Sequence, residues 1–345
     1  MLVFRVQPLE QILEDGGHFE RSPMYHAIFL EDLLDIINIH NAFNVENPVE
    51  LGNLVKKMFE WLDLMTHEDA TISYFNDSTN NFAPSILKLK NYAYDLNINI
   101  IKKQKKFSDL SFSGFSRINF KNYSSIINRG NPGPDFLLGH AHADALSFEL
   151  SILKKKFIVN QGISTYENIK KRFNQKATDS HSTLKIDEVD SSEIWSSFRI
   201  ARRSKILQRH NNINDKYLLL SASHNGYKFL NGSPVHKREW IFKENEIIIN
   251  DIVDGLGKHF FNLCYFIHPD IEINNIDNEK KFLIFFIKNK KIIMKFDLYG
   301  SLLLKNDTYC LEFYKEIKNI KISFTTKKKL PIRLVTKINI LNNDR

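Results

Sequence analysis

The spacing of apolar residues divides the chain in two. Up to about residue 100 they recur at helical intervals. Ser22-Pro23 supplies an N-cap and a first-turn proline, and Ile28, Leu33, Leu34, Ile36 and Ile37 predict a helix over 24–39. Val49, Leu51, Leu54, Val55, Met58, Trp61 and Leu62 predict a second over 48–65, and a third is expected over 84–96. Residues 74–78, between the last two, read as a loop. From about residue 110 the pattern becomes short β-branched and aromatic runs separated by Gly, Asn and Asp, which indicates an extensive antiparallel sheet system. Expected strands include 157–160, 183–186, 217–222, 246–252, 282–288, 291–296 and 320–325, with 101–107 as a linker. The fold class is therefore α+β and multidomain: helices over 1–105, then an all-β domain over 106–345, with neither internal repeats nor βαβ units.

The densest chemistry lies in Gly139-His140-Ala141-His142-Ala143-Asp144-Ala145-Leu146-Ser147-Phe148-Glu149-Leu150. As a strand, this run would put His140, His142 and Asp144 on one face and alanines on the other. Leu146, Phe148 and Leu150 continue that face, so the expectation is a strand entering a core, its polar end opening into a cleft. Asn160-Gln161-Gly162 ends another apolar run, and His181 opens the next. Zinc at His142 and His181 would need at least one carboxylate, for which Asn160 is a poor replacement. The stretch from Glu14 to His26 is dense in polar groups at a helix start, where a carboxylate-bearing ligand would be favoured with Arg21 as its partner. The plain alternative is that Glu20 and Arg21 pair with each other and Tyr25 is a core aromatic.

Charge and cysteine content narrow the partners. Lys and Arg number 48 against 40 Asp and Glu, a formal net charge of +8 that favours an anionic partner. The lysine-rich runs 102–106 and 327–329 read as solvated faces, and no nucleic-acid motif is present. Cys264 and Cys310 lack CxxC spacing, so no zinc ribbon is indicated. Residues 1–8 are too short an apolar run for a signal peptide, and no stretch reaches the roughly 18 apolar residues of a transmembrane helix. Read literally, the chain is soluble and cytoplasmic.

Taken with Asn160-Gln161-Gly162-Ile163-Ser164-Thr165-Tyr166, His181-Ser182-Thr183-Leu184 and Glu193-Ile194-Trp195-Ser196-Ser197-Phe198-Arg199, the run from Gly139 to Leu150 resembles the C-terminal domain of heparinase II/III-like polysaccharide lyases. The stretch from Asp15 to His26 resembles the end of their helical domain. The resemblance implies a partial (α/α) toroid followed by an antiparallel β-sandwich, with an acidic polysaccharide in the cleft between them. It implies β-elimination at a uronate: the carboxylate is neutralised, the C5 proton removed and the C4 oxygen expelled with a proton. Tyr25 matches the tyrosine proposed as base and acid, and His140 the active-site histidine. Glu20, Arg21, His26 and Arg199 would contact substrate. His142 and His181 match metal-binding histidines and Asn160 falls where relatives have Asp, so one divalent metal, zinc or calcium, is implied. An Asn-His motif on an earlier toroid helix would lie ahead of Met1. The chain then corresponds to about the C-terminal two-thirds of such a protein, partnered by a separately encoded helical part, in the cell envelope or periplasm. Two other readings are a non-catalytic acidic-glycan-binding or surface-polysaccharide assembly protein, and a zinc hydrolase built on His140, His142 and His181, for which no HExxH motif is present.

Overall fold

The computed structural model describes residues 10–101, 105–167, 169–296 and 299–342. Among the described residues, the helices given bounds ahead of the sheets are α1 (Pro23–Ala42), α2 (Val49–Leu64) and α3 (Ile86–Asp95). They match the expected helices, and Ser22 caps α1 by accepting the Tyr25 N–H at 3.2 Å. No described helix is long and apolar enough to cross a membrane. The expected linker lies partly outside the described residues.

The strands follow in chain order. The first group is β1 (Phe107–Leu110), β2 (Phe115–Asn119), β3 (Tyr123–Asn128), β4 (Phe148–Ile152) and β5 (Lys155–Val159). After a fourth helix, α4 (Ile169–Lys176), come β6 (Leu184–Ile186), the short hairpin β7 (Ile194–Ser196) and β8 (Arg199–Ile200), and β9 (Ile206–Ile213). Then follow β10 (Leu218–His224), β11 (Val235–Phe242), β12 (Glu246–Asp254), β13 (Lys258–Ile267) and β14 (Asn275–Asp277). The chain closes with β15 (Phe282–Ile287), β16 (Lys290–Phe296), β17 (Ser301–Glu312), β18 (Lys315–Lys329) and β19 (Ile332–Asn342). One sheet runs β1-β2-β3-β4-β5-β13-β18-β17, with β6 also on β13, and a second runs β14-β15-β16-β19-β12-β11-β10-β9.

The two sheets pack face to face, as expected of a sandwich. Phe148 of one meets Trp240 of the other at 6.4 Å between ring centroids, and Phe324 stacks on Phe296 at 5.1 Å. The alternation along β13 explains how one sheet serves two cores. Phe261, Leu263, Tyr265 and Ile267 enter the sandwich, whereas Cys264 and Phe266 face the other way, into a core shared with α1, α2 and α3. The architecture is a helical layer on a two-sheet sandwich. Among the described residues the helices form a layer rather than a closed toroid.

Two details of topology position the site. Strands β5 and β6 both lie on one flank of β13, at Phe266–Ile267 and Phe261–Leu263 respectively. The end of β5 at Val159 therefore abuts the entry to β6, where Ser182 Oγ donates to Val159 O at 2.9 Å. Gly162 then turns the chain away at φ +76°, and a Cβ there would stand 2.5 Å from Cδ2 of Tyr74. Gly162→Ala is expected to destabilise the protein by about 1–3 kcal/mol through strain and displacement of the Tyr74 loop, read from the midpoint of denaturant unfolding. An unchanged midpoint would contradict this packing.

Candidate active site

The loop 74–78 carries the residue on which the site is built. Asp77 is fully buried, and its carboxylate takes His140 Nδ1 at 2.8 Å, His142 Nε2 at 2.7 Å and both terminal nitrogens of Arg172, Nη2 at 2.6 Å. Burial alone would favour the neutral acid. The Arg172 guanidinium and the hydrogen bonds from His140 and His142 outweigh it and hold the acid well below the usual carboxylate range. The loop is itself pinned from the sheet: Glu149 of β4 accepts the N–H of Tyr74 and that of Asn160, each at 3.0 Å, and its other oxygen lies 2.6 Å from His67 Nε2. Ser22 Oγ donates to Asp77 O at 2.6 Å, which ties the start of α1 to the same loop.

The expectation of a strand through the whole 139–150 run is corrected. Strand β4 begins only at Phe148, and residues 139–146 form a loop. The break comes at a turn in which Ser147 N–H donates to Asp144 O at 3.0 Å and Leu146 takes φ +59°. His140 and His142 still converge, because both reach Asp77. Asp144 does not join them: it is buried with Oδ2 unpartnered, and burial pushes its acid up to about 7. The folded state therefore keeps a proton on Asp144 that the unfolded chain has lost, and stability falls as pH rises from about 4 to about 7. Asp144→Asn is expected to raise the melting temperature more at pH 8 than at pH 4, measured by thermal unfolding at both. An equal effect at the two values would contradict it.

On the open side of Asp77, His140 is turned so that Nε2 lies toward Glu20, 3.8 Å from Oε1. The Tyr25 ring lies 4.0 Å from the His140 ring, and the Tyr25 and Tyr166 hydroxyls are 3.0 Å apart. Burial raises the Tyr25 phenol, with nearby Asp77 and Glu20 adding to the effect and Tyr166 and Arg172 opposing it. Burial likewise raises Glu20, against the pull of His140. Tyr166 and Phe198 lie over the Arg172 guanidinium at 4.9 and 5.3 Å, completing an aromatic wall.

Helix α4 was not legible in the sequence, where Lys170-Lys171-Arg172 resembles a solvated run. It places Arg172 and Lys176, both fully buried, beneath the cleft. Lys176 Nζ donates to Gly139 O at 3.0 Å and Ser197 O at 3.2 Å. It thus joins the His140 loop to the β7–β8 hairpin. Burial, assisted by Arg172, lowers its ammonium to about 7.

The remaining candidates separate. Arg21 sits at φ +59° beside the cleft, with Nη1 donating to Asn131 O at 2.5 Å, and its carbonyl accepts from Asn76 at 2.9 Å. Glu20 faces His140 and His18. His26 is corrected as a direct substrate contact: it is fully buried, with Nδ1 accepting from His18 N–H at 3.1 Å, Nε2 at 2.9 Å from Met58 O, and its ring on Trp61 at 4.4 Å. Arg199 is on the exposed hairpin, 5.2 Å from the Trp195 ring centroid. His142 Nδ1 and His181 Nε2 are 3.3 Å apart, and Asn160 Oδ1 accepts from Ser182 N–H at 3.2 Å. Among the described residues no group of three or more His, Cys, Asp or Glu is placed to hold a metal ion. Two imidazoles and an amide do not fit the implied zinc or calcium.

Comparison with known families now adds to this geometry. The family model for the heparinase II/III-like C-terminal domain matches residues 102–338, and that for the heparinase II/III N-terminus matches 4–98. The chain belongs to the heparinase II/III family. It is 24% identical over 346 aligned residues to a heparin-sulfate lyase of Bacteroides stercoris, covering 92% of this chain and 49% of that protein. The heparan sulfate lyase structure from Pedobacter heparinus aligns with TM-score 0.78 at 20% identity, over 100% of this chain and 56% of that one. A heparinase III structure aligns with TM-score 0.79 at 19% identity, over 99% and 55%. These structural likenesses establish the fold. The chain spans about half the length of these relatives, rather than the two-thirds expected from its sequence.

Proposed function

We propose that the chain is a polysaccharide lyase-type protein that cleaves a uronate-containing acidic glycan by β-elimination. The observation that carries this reading is the Asp77–His140–Tyr25 arrangement. With His140 Nδ1 committed to an ionised Asp77, the imidazole keeps its lone pair on Nε2, the nitrogen turned toward the cleft. That nitrogen is suited to accept the C5 proton. Tyr25, whose phenol is raised, keeps its proton near neutrality and is suited to deliver it to the departing C4 oxygen. Glu20, once protonated, would hydrogen-bond a substrate carboxylate rather than repel it, while Arg21 and Arg199 supply positive charge at the two sides.

A polymeric acidic substrate would place the protein in the cell envelope or periplasm. The reaction class is tested by mass spectrometry after digestion of heparan sulfate, alginate and bacterial surface polysaccharides. Elimination yields fragments whose masses sum to that of the parent, whereas hydrolysis adds one water for each bond cut. A second reading, glycan binding without cleavage, is favoured by the commitment of Arg172 and Lys176 to Asp77 and backbone carbonyls, which leaves neither free for a substrate anion. Binding that persists in Tyr25→Phe and His140→Ala, with no turnover by the parent protein, would select it.

A further inference from the structure

We propose that in this chain the place of a divalent metal is taken by a directional hydrogen-bond chain, Asp77–His142–His181, and that Asn160 is the residue which excludes the ion. His142 Nε2 lies 2.7 Å from the carboxylate that also binds Arg172, so Nε2 carries the hydrogen and Nδ1 carries a lone pair. Two lone pairs do not face each other without something between them. At 3.3 Å, His181 Nε2 must then be the donor to His142 Nδ1, which leaves His181 Nδ1 bare and without a partner. The chain of protons runs one way, from His181 through His142 to Asp77.

Spacing alone does not separate this from a metal site, because tetrahedral zinc with Zn–N bonds of about 2.0–2.1 Å sets its ligand nitrogens roughly 3.3–3.4 Å apart. The third ligand and the charge do. Asn160 Oδ1 must face the Ser182 N–H, since reversing the amide would set donor against donor. The atom left without a partner is Nδ2, a donor, which repels a cation. Two neutral imidazoles and a neutral amide contribute no negative charge, and the charge of Asp77 is shared with Arg172. His142, Asn160 and His181 are all buried, so a doubly charged ion would lose its hydration without compensation. Calcium, which takes six to eight oxygens, is served less well still.

Aspartate at 160 would reverse this. One oxygen would keep the N–H of Ser182, the neighbour of His181, and the other would bring a charge and lone pairs in place of the amide NH2, so that positions 142, 160 and 181 would offer two histidines and a carboxylate, a recurrent zinc donor set.

The test needs no substrate, so its outcome is independent of the lyase reading. Parent protein and Asn160→Asp are each incubated with excess zinc, desalted and assayed for metal by plasma mass spectrometry. The expected result is well under one zinc per parent chain and about one per Asn160→Asp chain, with a zinc-dependent rise in melting temperature only in the variant. Stoichiometric zinc on the parent, lost in His181→Ala, would overturn the proposal, and so would a folded Asn160→Asp that stays empty. Should the variant not fold, nitrogen-15 spectra of the parent decide alone. Both His142 and His181 are expected as neutral rings protonated on Nε2, and an Nδ1-protonated ring at either position would overturn the proton order.

Discussion

Asp77→Ala is expected to cost about 3–5 kcal/mol of stability, because it leaves the Arg172 guanidinium charged, buried and unpaired. The loss extends beyond one ion pair. His140 and His142 both lose the carboxylate that orients them, and the 74–78 loop loses its link to the 139–146 loop. Asp77→Asn retains size and one acceptor but not the charge, so a smaller yet clear loss is expected. Equilibrium unfolding in urea measures both, and a loss below about 1 kcal/mol for the alanine variant would show that Arg172 finds another partner. The pH dependence has a definite sign. The acid of Asp77 is depressed by folding, so its contribution is present above the ordinary carboxylate range and lost as pH falls through its folded value. Acid unfolding of the parent should therefore be steep at low pH, and that portion should be missing from Asp77→Asn.

The second large effect concerns turnover rather than stability. His140→Ala and Tyr25→Phe are each expected to lower glycan cleavage by about 10²–10⁴-fold, the range usual for loss of a positioned acid or base. Both variants should stay folded. Tyr25 gives up only the hydroxyl contact with Tyr166. His140→Ala leaves Asp77 with Arg172 and His142 and should cost about 1.5–3 kcal/mol, the net worth of one hydrogen bond to a charged group. Steady-state rates together with melting curves separate the cases. A variant that stays folded and turns over like the parent would remove that residue from the chemistry.

The parts of the fold that were legible in the sequence are those where periodicity and burial agree. Helices α1, α2 and α3 each bury one stripe, and β12, β15 and β16 run close to their expected bounds. Where pairing rather than apolar content makes the strand, the expectation fell short. Strand β18 extends over Lys315–Lys329, well beyond 320–325, because it is paired to β17 and to β13 along a lysine- and threonine-rich length.

The site was half legible for a similar reason. Tyr25, His140, His142 and His181 stand in recognisable motifs and do come together. Asp77, the group that joins His140 to His142, lies in a short polar loop with no local pattern, and Arg172 sits 95 residues further on in what resembles a charge run. A buried carboxylate shared by an arginine and two histidines is a tertiary fact, set by which loops the sheets bring together. His26 was misplaced for the opposite reason. It neighbours Tyr25 in sequence, but one step along a helix rotates the side chain by about 100° and sends it into the core against Trp61.

The most direct test of the central claim is the ultraviolet absorbance of a reaction between the protein and an acidic glycan, followed for the conjugated 4,5-unsaturated uronate that only elimination creates. A rise in absorbance with at least one glycan of the panel, lowered at least 10²-fold by His140→Ala in a variant that stays folded at the assay temperature, is the predicted result. Cleavage without that absorbance, or the same rise in the His140→Ala variant, would contradict β-elimination at this site.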